Sequence, residues 1–264
     1  MNKKIVNSIL IVLLSGGLFV LLSFVNKAKN ETTCQELIVN IKNNQDLQFI
    51  DYDEIQKTLA EQGIKLVGNQ LKNIDIPKIE RIINAHPHIK KADVYAELNG
   101  NIHIDVLQRK PVIRVFNIYN ESFYIDEDGT LMPTSTKHIA RVPIANGFIF
   151  DKYGTFYKIN LADTTTYQKV FKYSLLDDLY ILGKTIYNDS VWNKQIQQVY
   201  VEKEIELIPR VGEQQIILGD VSNLHEKLNK LKIFYKEAIP KVGWNKYSKI
   251  NLKFKNQVVC TKAK

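Results

Sequence analysis

His86-Pro87-His88-Ile89-Lys90-Lys91-Ala92-Asp93-Val94-Tyr95-Ala96-Glu97-Leu98-Asn99-Gly100 and the run that follows, Asn101-Ile102-His103-Ile104-Asp105-Val106-Leu107-Gln108-Arg109-Lys110-Pro111, decide the fold of the first half of the chain. Ala92, Val94, Ala96 and Leu98 alternate with Asp93, Tyr95 and Glu97. Ile102, Ile104 and Val106 alternate with His103, Asp105 and Leu107. A period of two belongs to strands with one face on a core. Asn99-Gly100 between the runs is the dipeptide of a tight hairpin.

Upstream, Leu37-Ile38-Val39-Asn40-Ile41 reads as a strand. Tyr52–Gln62 reads as a helix with Asp51 as N-cap and Gly63 as its stop, its stripe made by Ile55, Leu59 and Ile64. Ile76–Ala85 reads as a second helix, capped by Asp75, with Pro77 in its first turn and Pro87 beyond its end. Ile79, Ile82 and Ile83 give it a core face. The order is strand, helix, helix, strand, strand, and neither helix buries its stripe alone. A three-stranded sheet covered on one face by both helices satisfies all five elements.

Before this module, Ile5–Val25 runs without a charge behind a short basic head, Met1–Lys4. As a helix it is roughly 31 Å long, the thickness of a hydrocarbon core. A cleaved signal peptide has a shorter apolar run and a small-x-small exit, which Asn26-Lys27-Ala28 does not supply. Glu31-Thr32-Thr33 before Cys34 is not a lipobox. The expectation is an uncleaved transmembrane helix. Lysines on both sides code its orientation weakly. The bulk of the chain lies after it, so we read the N-terminus as cytoplasmic. Ser15-Gly16-Gly17 is read as small-residue tolerance within the span. Asn26–Thr33 is a polar stalk.

The 264 residues are 45% hydrophobic and 24% charged, with a formal net charge of +8. This composition excludes a disordered tail protein. The charge is compatible with acidic partners or an anionic membrane surface. Two cysteines exclude a disulfide-stapled scaffold and a multi-cysteine zinc module. Cys34 and Cys260 pair only if the start of the module meets the end of the chain, which nothing in the sequence requires.

Downstream, Pro111-Val112-Ile113-Arg114-Val115 opens a strand, and Phe123-Tyr124-Ile125-Asp126-x-x-Gly129-x-Leu131 reads as a hairpin. Val142-Pro143-Ile144 leads to Gly147. Thr166–Leu182 reads as an amphipathic helix with Tyr167, Val170, Phe171, Leu175, Leu179 and Leu182 on its stripe. Val199–Ile208 and Gln215–Leu218 read as a hairpin over Gly212. Ser222 caps a helix whose core face is Leu224, Leu228, Leu231 and Tyr235. Ile250-x-Leu252-x-Phe254 belongs to a closing strand, Lys249–Val259, with these three inward, Lys249, Lys253 and Lys255 outward, and an edge position.

The run from His86 to Val94, the hairpin and Ile102-x-Ile104-x-Val106-x-Gln108-Arg109-Lys110-Pro111 resemble a POTRA domain. Gln108 stands where the family usually has Glu, and His88 where it often has an aromatic residue. One POTRA behind one span resembles the bacterial cell-division family FtsQ/DivIB. The later motifs follow in that family's order: Asp126-x-x-Gly129, Pro143 to Gly147, Leu218-Gly219 with Lys227-Leu228-x-x-Leu231, and Asn251-Leu252-Lys253-Phe254 for its closing strand. The resemblance implies an α+β protein. Residues 1–4 form a tail, 5–25 a transmembrane helix, 26–33 a stalk, 34–110 a POTRA domain (β-α-α-β-β), and 111–264 a mixed β-sheet domain with helices.

It further implies a non-catalytic scaffold at the division septum, anchored in the cytoplasmic membrane with its bulk outside. Such a scaffold links early division proteins to FtsL and FtsB and to septal peptidoglycan synthesis. The closing edge strand would bind FtsB by strand addition through Ile250, Leu252, Lys253, Phe254, Lys255 and Asn256. Other division proteins would use the POTRA domain. Another POTRA-bearing envelope assembly factor is the neighbouring alternative.

Four further places carry residues of chemical interest. His86-x-His88 is the only close histidine pair and has no carboxylate or cysteine at ligand spacing, so it reads as a solvated turn around Pro87. Glu202, Glu204 and Glu206 alternate as on one strand and would share a face, a two-carboxylate geometry open to an anchored wall hydrolase. Their plainer reading is a solvent face. Asp126-x-Asp128-Gly129 lacks the later ligands of a calcium loop and reads as a turn with glycine at positive φ. Lys246, Lys249, Lys253 and Lys255 among Trp244, Tyr247 and Phe254 resemble a nucleic-acid groove, but behind a membrane span they read better as a basic edge. No cofactor, metal or nucleic acid is expected, and no enzyme.

Overall fold

The computed structural model of the protein describes residues 16–17, 32–42, 47–163 and 174–263. The expected span Ile5–Val25 lies outside these residues apart from Gly16 and Gly17, which are helical. So do residues 1–4 and most of the stalk. No described helix is long and apolar enough to cross a membrane. The chain divides into two compact units, Met1–Gln108 and Arg109–Lys264.

The first unit holds β1 (Leu37–Lys42), α1 (Tyr52–Glu61), α2 (Ile76–Asn84), β2 (Ile89–Ala96) and β3 (Ile102–Gln108). Its sheet has the order β1-β3-β2, with β1 parallel and β2 antiparallel to the central β3. Both expected caps are present. Asp51 Oδ1 accepts from Glu54 N at 2.8 Å, and Asp75 Oδ1 accepts from Lys78 N at 2.9 Å. Ile55, Leu59, Ile79 and Ile83 of the helices are buried, as are Ile102, Ile104 and Val106 of the central strand. Gly100 turns the hairpin at φ 101°.

Two details of this unit differ from expectation. β2 stops at Ala96, and Leu98 is 81% exposed. His88 is buried, not solvated, and stacks on Phe49 with ring centroids 5.1 Å apart. Gln108 is fully buried; its Oε1 accepts from Ile50 N at 3.0 Å and its Nε2 donates to Leu47 O at 3.0 Å. A carboxylate could accept the first bond but could not donate the second.

The second unit is built on a nine-stranded mixed sheet. Its strands are β4 (Pro111–Phe116), β5 (Ser122–Asp126), β6 (Leu131–Pro133), β7 (Ile144–Gly147), β8 (Ile196–Val201), β9 (Ile205–Pro209), β10 (Gln215–Gly219), β11 (Tyr247–Asn251) and β12 (Val259–Lys262). Their order is β12-β11-β10-β9-β8-β7-β4-β5-β6. β7 is parallel to both neighbours and joins two blocks, β4-β5-β6 and β8 to β12. Its ladder to β4 is only Arg114↔Ile144 and Val115↔Ala145. The longer helices are α3 (Leu175–Asn188) and α4 (Leu224–Glu237). Gly183 lets α3 lie close on β4, since a Cβ there would stand 2.8 Å from Ile113 Cβ.

Four expectations for this unit are corrected. The helix read over Thr166–Leu182 begins at Leu175 and runs to Asn188. Ser174 is extended (φ −130°, ψ 141°) and caps it from its side chain, and residues 164–173 lie outside the described ones. The run Val199–Ile208 is not one strand but the inner halves of β8 and β9 around the turn Glu202–Glu204. α4 is preceded by Asn223 in a left-handed conformation, and Ser222 bonds Asp220 instead of capping it. Lys249–Val259 is not one strand: β11 ends at Asn251 and β12 begins at Val259.

Candidate functional site

The last three strands follow from their hydrogen-bond parity. Leu252 N donates to Ile217 O at 2.9 Å in the parallel β10–β11 pair. In such a pair one residue bonds both flanking neighbours on the other strand, so Ile250 and Leu252 turn their backbone groups toward β10. Asn251 and Lys249 therefore face β12, where they meet Val259 and Thr261. The N–H and C=O groups of Cys260 and the N–H of Lys262 point away from the sheet, while the Lys262 C=O accepts from Ser248 Oγ at 3.4 Å. Among the described residues, β12 has no strand on that side.

The expected contact residues are divided by this arrangement. Ile250 and Leu252 are fully buried in the core. Lys253, Phe254, Lys255 and Asn256 lie in the loop between β11 and β12, with Phe254 44% exposed rather than inward. β11 is flanked on both sides, so the edge is β12, not the strand bearing Ile250. The loop is fastened at several points. Lys230 Nζ donates to Phe254 O at 2.7 Å, and Lys253 N donates to Asn251 Oδ1 at 3.0 Å. Lys253 Nζ meets Glu204 Oε2 at 2.6 Å. Its stem covers Gly219, where a Cβ would stand 2.9 Å from Lys253 Cγ. Asn256 turns the chain at φ 59°. The loop thus presents Phe254 and Lys255 beside an unpaired backbone edge.

Chemistry elsewhere is sparse. Glu202 and Glu204 sit in the β8–β9 turn and Glu206 on β9, so the three do not share one strand face. Glu204 is ion-paired with Lys253. Asp126 is fully buried at the end of β5; its Oδ1 accepts from Asp128 N and Thr130 N at 3.0 and 2.7 Å, and its Oδ2 accepts from Arg109 Nη1 at 2.8 Å. Burial raises its pKa against the pull of Arg109. Gly129 follows at φ 83°, which makes the segment a turn. Cys34 and Cys260 are both free, and burial raises the pKa of each, so neither thiol is activated. Among the described residues no group of three or more histidine, cysteine or acidic side chains is placed to hold a metal ion.

Sequence reasoning missed β12 as a separate strand and the Glu204–Lys253 tie. One signal was present for the first: Asn256 occupies the place where the alternation Ile250, Leu252, Phe254 calls for another apolar residue.

A three-stranded sheet carrying two helices, followed by a long mixed sheet with one open edge, is the architecture of a POTRA-bearing protein. A POTRA-like domain model matches residues 32–120, and a model described as FtsQ/DivIB, C-terminal related, matches residues 110–261. The second covers more than half of the sequence, and the chain belongs to the FtsQ/DivIB family, which associates it with cell division. No curated protein matches the chain.

Proposed function

We propose that the chain is a non-catalytic scaffold of the division septum. It is held in the cytoplasmic membrane by Ile5–Val25, with a cytoplasmic N-terminus and both units outside. On this reading it joins early division proteins to FtsL- and FtsB-like partners and so to septal wall synthesis. One observation carries the proposal: among the described residues no strand pairs the Cys260 N–H and C=O or the Lys262 N–H of β12, at the end of a nine-stranded ladder. A second chain completes such an edge by adding a strand. Lys253, Phe254, Lys255 and Asn256 then flank the added strand, and the lysines favour an acidic partner mainly by speeding encounter.

A photocrosslinking residue at Lys262, in full-length protein within dividing cells, should capture a small FtsB- or FtsL-like membrane protein, and depletion should give filaments. Capture of that protein only from the opposite edge of the sheet, or chained cells with complete unsplit septa on depletion, would overturn the reading. Alkaline carbonate should leave the protein in the membrane, and external protease on spheroplasts should remove its bulk. A soluble mature form starting after Val25 would contradict the anchor.

A further inference from the structure

We infer that one end of the first unit, the β2–β3 hairpin tip at Leu98 with the neighbouring turn at Lys72, rests on the headgroup layer of the bilayer that holds the anchor. The inference depends on the anchored reading of Ile5–Val25. It adds to that reading a lipid-contact surface and a fixed stance of the unit on the membrane.

The ladders fix which end this is, because the chain enters the unit between two turns. On one side Cys34 N donates to Asn69 O at 2.8 Å, Thr33 bridges Gln70 in antiparallel sense, and Leu71 N donates to Thr32 O at 2.9 Å. The partner segment runs back past Thr32, so Lys72 and Asn73 lie beyond the point of entry. On the other side Gln35 N donates to Gly100 O at 3.2 Å, and a Cβ at Gly100 would collide with Thr33 O. β3 runs parallel to β1, so Leu98 and Asn99, which precede Gly100, lie on the same side as the entering chain. Seven residues lead from Val25 to Thr32, and fully extended they reach about 25 Å. Both turns therefore stand a short tether away from the bilayer. The opposite end of the sheet is marked by Gln108, whose bond to Ile50 N places the start of α1 there.

Side chains suit that place. Glu97 N donates to Asn101 O at 2.8 Å and Gly100 N donates to Glu97 O at 3.1 Å, so Leu98 and Asn99 are the central residues of the turn. Such positions favour polar residues, proline or glycine, and nothing in the turn requires a leucine. Leu98 is nevertheless 81% exposed, the most open large apolar side chain among the described residues. A lone exposed leucine is ordinary on a protein surface; this one stands at a turn tip beside the membrane tether. Lys72 is exposed and has no hydrogen bond or ion pair from its side chain among the described residues. Of the carboxylates nearby, Asp75 caps α2, Glu97 accepts from Asn99 Nδ2 at 2.8 Å, and Glu36 lies deeper, level with Ile102. Leu98 can thus enter the interfacial layer as an apolar anchor while Lys72 meets lipid phosphates. Each contact is weak alone, and the tether makes it effective by keeping the local concentration of lipid high.

The test uses the full-length protein in nanodiscs of phosphatidylcholine with a minor share of phosphatidylglycerol. A photocrosslinking residue at Leu98 should form phospholipid adducts, read by mass spectrometry. One at Tyr52, which is 42% exposed but starts α1 at the opposite end, should form none. With the crosslinker at Asn73 instead, Leu98→Asp should cut the adduct about fivefold, because an apolar anchor has become a charge. Leu98→Ser serves the same purpose if Leu98→Asp fails to fold. With the crosslinker at Leu98, Lys72→Glu should lower the adduct a few-fold, as should discs of phosphatidylcholine alone. No adduct at Leu98, equal adducts at Leu98 and Tyr52, or adducts unchanged by either substitution in folded protein would overturn the inference. Crosslinking of Leu98 to a second copy of the chain in place of lipid would overturn it too. Any of these results with protein that co-elutes with the discs leaves the anchor reading standing. Protein that elutes free of the discs overturns the anchor and the inference together.

Discussion

At one edge of the nine-stranded sheet stands β6, three residues ending in Pro133, with Leu131 and Met132 buried. The following chain lies over its approach: Leu161 N donates to Gly129 O at 2.9 Å, and Thr130 bridges Asn160. At the other edge stands β12, four residues with Val259, Thr261 and Lys262 exposed. Both strands are short, but only one is sealed. A short buried strand ending in proline offers little to an incoming chain, whereas an exposed one flanked by lysines stays soluble and can still be paired. The sheet therefore has a sealed edge and an open one.

The largest effect should come from the sealed edge. Asp126→Ala leaves Arg109 without its carboxylate and two turn amides without their acceptor. The expected loss is about 3–5 kcal/mol of unfolding free energy in denaturant titration. A loss below about 1 kcal/mol, the value of a surface pair, would show that this edge is not built around Asp126. At the open edge the effects should be smaller and should split by parity. Thr261→Pro removes a bond to β11 and should lower stability by about 1–2 kcal/mol. Lys262→Pro removes only an outward N–H and should stay within about 0.5 kcal/mol of wild type while abolishing partner capture. Equal stability losses for the two would place β12 inside a larger sheet.

The smallest effect concerns Asp220, just beyond β10. Hydrogen bonds from Lys227 and Ser222 hold its pKa down at about 2. The folded value lies below the unfolded one of about 3.9. Its contribution is thus fully present above that pH and fades as the pH falls toward the folded value. Its carboxylate is largely exposed, so the contribution is weak. Melting temperatures of wild type and Asp220→Asn should converge on acidification through this window. A difference that stays constant down to pH 2 would exclude the linkage.

The first unit was legible in the sequence because its signals are local. Asp51 and Asp75 cap through bonds three residues away, and Asn99-Gly100 turns between two strands of unbroken alternation. The second unit hid two turns for one shared reason. Val199, Val201, Ile205 and Leu207 are all buried, and a three-residue turn between Val201 and Ile205 preserves their odd-numbered parity. Only Lys203, standing at an inward position, marks the break. At the closing loop Asn256 plays the same part. The edge itself was not legible, because which strand ends a sheet is decided by neighbours distant in sequence. The same holds for His88, whose cover is Phe49.

The narrow joint at β7 gives the sheet a mechanical character. Tension applied between the first residues of β4 and a chain gripping β12 must cross the two-pair ladder linking Arg114 and Val115 to Ile144 and Ala145. Every other ladder in that sheet has at least three pairs. The sheet's built-in seam is therefore central, away from both edges, with α3 bracing it where Gly183 presses on Ile113. A constricting envelope that pulled on this molecule would load that seam first. In an optical trap the earliest rip should release β4 to β6 as one block while β8 to β12 stay folded.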